Sequence, residues 1–366
     1  MAKDCESERT GEALGDNSGE LRGERFGVHR VIEPRGVLPQ PAWKLDNRMG
    51  DADSLWDNEI VVDVRTLNVD AASFRQMEEA AGSAEGVGKL VLETIDKRGK
   101  QHNPVTNSGG MLLGTVRHVG SAARDRGVVV GDSIATLASL SLTPLVVHEI
   151  TAIRAASAQL DVVGRAVIAD GAPFAKMPTD LDERLALAVL DVAGAPIQVA
   201  RRAKPSMRVL VLGGGGKSGI LCAMEARRKV GPTGQVIAVE SFAKYADELK
   251  SLGICDAVLS LDATNAMAVY DGVLAATGGK EVDLSICCVN VEAAEMATIL
   301  PVRSGGCAYF FSMATAFGRA ALGAEGVGKD VELIIGNGYA IDHAAYAIDV
   351  LRREHALRAV FERRYT

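Results

Sequence analysis

The chain has 366 residues, of which 48% are hydrophobic and 24% charged, with a formal net charge of −7. That length has room for two domains with a large buried core, and the mixture is that of an ordinary globular protein. The acidic surplus, without any basic tract carrying interleaved aromatics, excludes a nucleic-acid surface, and no apolar run is long enough to span a membrane.

Six cysteines (Cys5, Cys222, Cys255, Cys287, Cys288, Cys307) show no paired C-x-x-C spacing and mostly lie in apolar runs. Buried, reduced thiols are therefore expected, in a reducing cytoplasm. The first residues also lack a signal-peptide core.

In chain order, residues 1–24 are rich in Glu, Asp, Ser and Gly and predict a disordered polar extension. Three prolines between residues 31 and 41 favour extended chain. Residues 59–67 are strand-like by their β-branched content, and residues 73–97 carry helical spacing interrupted by Gly82, Gly86 and Gly88. Short strands follow at 109–116 and 128–137, with a tight reversal at Val130-Gly131-Asp132. The first half thus reads as a small irregular β-barrel.

Composition then shifts. Thr179 to Glu183 supplies cap residues and acids for a helix start, and residues 197–203 fit a second helix. From Arg208 strands alternate with helices, the strands falling at 208–212, 235–239, 257–261, 283–289, 306–311 and 331–335. That alternation predicts a doubly wound parallel sheet, an α/β fold. Residues 341–364 read as helices.

Between the first of those strands and its helix stands Gly213-Gly214-Gly215-Gly216-Lys217-Ser218-Gly219. A glycine-rich turn feeding a helix N-terminus offers unpaired backbone N–H groups and a partial positive charge to a phosphate. Gly216-Lys217-Ser218 suggests a nucleoside-triphosphate loop, but Val211 stands where that motif needs glycine. The dinucleotide fingerprint fits as Gly214-x-Gly216-x-x-Gly219 or Gly213-x-x-Gly216-x-x-Gly219. Glu240, at the end of the next strand, suits the adenine ribose hydroxyls and repels a 2′-phosphate, so the expected cofactor is NAD.

Gly109 to Val116, Val130 to Ala135, the glycine turn and Glu248 to Val258, in that order, resemble the medium-chain dehydrogenase/reductase superfamily. The resemblance implies a GroES-like catalytic domain over 25–185, a Rossmann NAD-binding domain over 186–338, and C-terminal helices over 339–366 returning to the catalytic domain. Arg30 to Pro34, Asn103 to Met111, Ala308 to Thr315 and Leu322 to Asp330 narrow it to the 3,5-diaminohexanoate dehydrogenases. What this implies is NAD-dependent oxidative deamination at C3 of a small diamino acid, giving 5-amino-3-oxohexanoate and ammonium in anaerobic lysine fermentation. Two other readings stay open: a zinc-free NAD(P)H reductase of quinones or enones, and a non-catalytic dinucleotide-binding protein.

Deamination needs a base for the substrate ammonium, and anchors of both signs for its carboxylate and second ammonium. Many superfamily members polarise substrate with zinc, but here Gly110-Met111 replaces the family's His-Glu pair and Asp70 replaces its first cysteine, with Asp191 near the third ligand. No catalytic or structural zinc is therefore expected. Asp70 and Asp191 are the candidate catalytic pair, binding the ammonium and supplying the base; the alternative is that Asp70 caps a helix from Ala71 and Asp191 bonds local backbone. His102, His343, Glu325 and Lys329 in a glycine-rich loop, Tyr339 and Arg35 are lesser candidates. For the cofactor, Gly213, Gly216 and Gly219 face the pyrophosphate, Lys217 and Ser218 open the helix, and Glu240 takes the ribose. Val289, Asn290 and Ser312, at strand ends, line the crevice. The last strand would leave an open edge, so a homodimer is expected.

Overall fold

The computed structural model describes residues 21–49, 55–336 and 338–366. Most of the extension expected over 1–24, with Cys5, lies outside them. Contacts divide the chain into two compact units, one ending at Lys176 and the other starting at Met177.

In the first unit, β1 (Val31–Glu33) and β2 (Lys44–Leu45) form a small antiparallel pair. The larger sheet is built from β3 (Ile60–Asn68), β4 (Met111–Val119), β5 (Ser133–Thr136), β6 (Leu145–Arg154), β7 (Gln159–Ile168) and β8 (Phe174–Lys176). Its order is β6-β7-β3-β4-β5-β8, with every neighbouring pair antiparallel. β3 sits near the middle because Ile60, Val62, Val64 and Leu67 are apolar, branched and fully packed into the main core.

The glycine-broken helical stretch resolves into α1 (Ala71–Ala81) and α2 (Ala84–Arg98), which start after β3. Gly82 closes α1 in the left-handed region at φ 73°, and Ser83 caps α2 through the Gly86 N–H at 3.1 Å. Gly88 lies inside α2 because a Cβ there would stand 2.9 Å from Ile153 Cδ1, so glycine lets the helix close on β6.

The second unit opens with α3 (Glu183–Leu190), capped by Asp182, and α4 (Gly194–Arg202). Then come β9 (Arg208–Leu212), α5 (Lys217–Val230), β10 (Gln235–Val239), α6 (Ala243–Leu252), β11 (Ala257–Leu259), α7 (Ala266–Thr277), β12 (Val282–Cys287), α8 (Glu295–Ile299), β13 (Val302–Phe310), α9 (Phe317–Gly326) and β14 (Glu332–Ile335). The sheet order is β11-β10-β9-β12-β13-β14, all parallel. Numbered from β9, that is 3-2-1-4-5-6, the Rossmann order, whose reversal between the first and fourth strands opens a crevice at their carboxyl ends. The unit ends in α10 (His343–Arg353) and α11 (His355–Tyr365), which pack on α3 and α4 within it.

One expectation needs correcting. Residues 323–326, read as part of a glycine-rich loop from Gly323 to Gly328, belong to α9. Ala320 and Ala324 bury one face of that helix, and Gly323 admits the Met296 sulfur, which would lie 2.4 Å from a Cβ.

Candidate functional site

The glycine turn is built so that almost no side chain fits within it. Gly213 has φ 73°, and its N–H donates to the Val239 carbonyl at 2.8 Å, tying the turn to the end of β10. A Cβ at Gly219 would stand 1.9 Å from the Gly213 carbonyl oxygen, so only glycine lets α5 fold back onto the turn. A Cβ at Gly215 would meet Tyr245 Cβ at 2.4 Å and Glu240 Oε2 at 2.8 Å. Gly216 differs: it is exposed, and a Cβ there would approach nothing closer than the Gly213 oxygen at 3.6 Å. It is also the N-cap of α5, with no capping side chain. An open helix N-terminus with glycine at its mouth is a cradle a Cβ would partly fill, and it fits a pyrophosphate.

Glu240 is buried, and both carboxylate oxygens accept backbone N–H groups, Oε2 from Gly215 at 2.9 Å and Oε1 from Phe242 at 3.0 Å. Each oxygen keeps a lone pair, so ribose hydroxyls can still donate to it. Val289 lies against Gly213, whose Cβ would come within 2.8 Å of Val289 Cγ1, and Asn290 beside it is exposed. The Ser312 N–H donates to the Cys287 carbonyl at 3.2 Å, and Ser312 Oγ accepts the Ala314 N–H at 3.1 Å. Gly213, Gly216, Gly219, Glu240, Val289 and Ser312 thus gather along the carboxyl edge of one sheet.

Asp191 stands at the C-terminus of α3 and pairs with Lys217, the first residue of α5, at 2.5 Å. Its charge is therefore already matched by the Lys217 ammonium. Asp70 is the N-cap of α1, Oδ1 accepting from Ala72 N–H at 3.0 Å and Ser73 N–H at 3.1 Å, while Oδ2 accepts the Ser73 hydroxyl. Ser73 Oγ in turn meets Thr106 Oγ1 at 2.5 Å. The cap alternative is therefore realised, with a chain of hydroxyls leading away from the same carboxylate.

Burial pushes both His102 and His343 below the usual histidine value, so both are neutral imidazoles at neutral pH. Lys329 pairs with Glu281 at 2.5 Å, and Arg35 is exposed. Cys287 is buried and its thiol is pushed up to about 12, which leaves it a packing residue. Among the described residues no three His, Cys, Asp or Glu side chains gather as metal ligands, and no helix is long and apolar enough to cross a membrane.

Sequence reasoning missed two groups. Glu295 is buried and holds the segment after β13, accepting the Ala316 N–H at 2.8 Å and pairing with Arg319 at 3.2 Å. Arg364, on α11, donates to the Gly215 carbonyl at 2.7 Å. No local motif signals a contact between residues 149 positions apart.

Residues 29–178 match a protein-family profile described as the L-erythro-3,5-diaminohexanoate dehydrogenase N-terminal domain. The chain is 49% identical to the L-erythro-3,5-diaminohexanoate dehydrogenase of Acetoanaerobium sticklandii, covering 94% of this chain and 100% of that one. With the enzyme of the same name from Fusobacterium nucleatum it shares 50% identity, over 94% and 99% of the two chains. Among solved structures it is similar to a mycobacterial protein complexed with NADPH (TM-score 0.54, 18% identity, covering 84% of this chain and 89% of that one). The CurK enoyl reductase is similar at a TM-score of 0.52 and 15% identity, over 84% and 82% of the chains. These last two share the fold.

Proposed function

The chain belongs to the L-erythro-3,5-diaminohexanoate dehydrogenase family, and from that premise we propose that it is an NAD-dependent amine dehydrogenase. It oxidises C3 of L-erythro-3,5-diaminohexanoate and releases 5-amino-3-oxohexanoate and ammonium, a step of lysine fermentation in the cytoplasm. The observation that carries the reading is 49% identity over the whole length of a relative bearing that name.

NAD, when bound, would supply the acceptor for the hydride leaving C3. The chain's own residues do the rest. Gly213, Gly216 and Gly219 leave the backbone open to the pyrophosphate, and the first turn of α5, with Lys217 and Ser218, presents its N–H groups. Glu240 takes the ribose hydroxyls, and its negative charge disfavours a 2′-phosphate. Val289, Asn290 and Ser312 line the crevice beyond.

Asp70 is assigned as the base that removes a proton from the substrate ammonium and later helps activate water, and Ser73 and Thr106 give that proton an exit. Asp191, matched by Lys217, is assigned to holding the start of α5. The working form is proposed to be a homodimer.

The test incubates the protein with L-erythro-3,5-diaminohexanoate and either NAD or NADP, and measures reduced dinucleotide and ammonium together. One ammonium per NADH, with NADP much the poorer cofactor, is the expected result. Reduction of a quinone or enone by NADH, with no ammonium from the diamino acid, would replace this reading with the reductase one. Binding of NADH without any turnover would replace it with the non-catalytic one.

A further inference from the structure

Four consecutive glycines, Gly213 to Gly216, make a turn with more backbone freedom than any other residue type would give it. A cofactor that needs one conformation of that turn bears the ordering cost itself unless the protein imposes the conformation first. The structure shows where the restraint comes from. Gly215 is held through both of the peptide groups that flank it: Glu240 Oε2 accepts its N–H at 2.9 Å, and Arg364 Nη1 donates to its carbonyl at 2.7 Å.

Arg364 is itself held hard. Its side chain is only 11% exposed, its guanidinium lies over the Tyr245 ring 4.5 Å from the centroid, and Nη2 pairs with Glu248. Glu248 also receives Arg363, and Tyr245 and Glu248 are on α6. The ring centroid of the next residue, Tyr365, lies 5.7 Å from the Lys217 ammonium, which also pairs with Asp191. The last turn of α11 therefore meets the glycine turn at residue 215 and the helix after it at residue 217.

We propose that Arg364 is a positioning residue for the dinucleotide: it locks the Gly215 peptide, oriented by Glu248 and Tyr245, so that the turn meets its cofactor already ordered. The inference rests on the glycine turn being the dinucleotide site. Only a planar fork can donate to the Gly215 carbonyl and a carboxylate while stacking on a ring; an ammonium cannot do all three.

The experiment measures NADH affinity by fluorescence titration, together with KM for NAD, kcat and thermal midpoint, for wild type, Arg364→Ala, Arg364→Lys, Glu248→Gln and the Arg364→Ala/Glu248→Gln double variant. Arg364→Ala is expected to weaken NADH binding and raise KM for NAD by about tenfold or more, the loss of a charge-assisted bond, with kcat moving much less. Arg364→Lys falls between it and wild type, and it decides the matter if the alanine variant fails to fold. Glu248→Gln weakens binding less than Arg364→Ala, and the double variant is no worse than Arg364→Ala alone, because Glu248 acts through Arg364. Unchanged affinity in both Arg364 variants overturns the proposal even if the thermal midpoint falls, and so does additivity of the double variant. Failure of the wild type to bind NADH would instead strike the dinucleotide reading itself.

Discussion

Asp70 is asked to be a cap and a base, and the two roles separate by substitution. Asparagine caps a helix about as well as aspartate, whereas alanine loses roughly 1 kcal/mol. Asp70→Asn therefore keeps the bonds from Ala72 and Ser73 while removing the charge that takes a proton. We expect kcat to fall by at least about a hundredfold, with the thermal midpoint and NADH affinity close to wild type. Turnover surviving in this variant would reassign the base and leave Asp70 a cap. Lys100 gives a second prediction at this scale. It is fully buried, donating to the Pro39 carbonyl at 2.7 Å and the Gln40 carbonyl at 2.8 Å, and among the described residues no carboxylate pairs with it. Burial, helped by the charge of Arg98, lowers it from 10.5 to about 8. Between those values the unfolded chain binds the proton more tightly than the folded one, so stability rises with pH there, and the full cost stands below about 8. Chemical denaturation from pH 8 to 10.5 should show wild type gaining on the order of 3 kcal/mol relative to Lys100→Met. Parallel curves for the two proteins would refute it.

At the scale of elements, what the sequence revealed was whatever is governed by near neighbours. Asp182 before an apolar helical run, and Asp70 before Ala71, are caps because a short acceptor reaches N–H groups two and three residues on. β9 and β10 fall where the apolar runs put them, since after one polar residue at each start every position through Leu212 and Val239 is apolar and buried. The glycine turn was legible for the same reason: strand, turn, helix and the following acid lie within about thirty residues. α9 was not, because three glycines in ten residues outweigh its alanines locally, and only burial of Ala320 and Ala324 and the seat for Met296 restore it. The ion pair of Asp191 with Lys217 and the grip of Arg364 on Gly215 were also invisible. Each depends on how α3 or α11 packs beside α5 and α6, which no local spacing encodes.

At the scale of the whole molecule, β14 is the edge on which the proposed homodimer can be tested. It pairs with β13 on one side, and among the described residues no strand covers the other. Its sequence, Glu332-Leu333-Ile334-Ile335, carries one charge and three branched apolar residues, too little to block pairing with another strand. α9 packs beside β14 and leaves Phe317 68% and Leu322 70% exposed, so apolar surface extends from the open edge onto the neighbouring helix. A two-fold axis across that edge would let β14 of each chain complete the other's sheet and would cover the same patch twice, an isologous interface that closes on itself. Light scattering at micromolar concentration should give the mass of two chains. Ile334→Pro, which removes an N–H and bars ladder pairing at the edge, should move the mass toward one chain while leaving NADH binding measurable. A wild-type mass of one chain would defeat the edge-pairing arrangement. A proline variant that stays dimeric would move the interface away from β14.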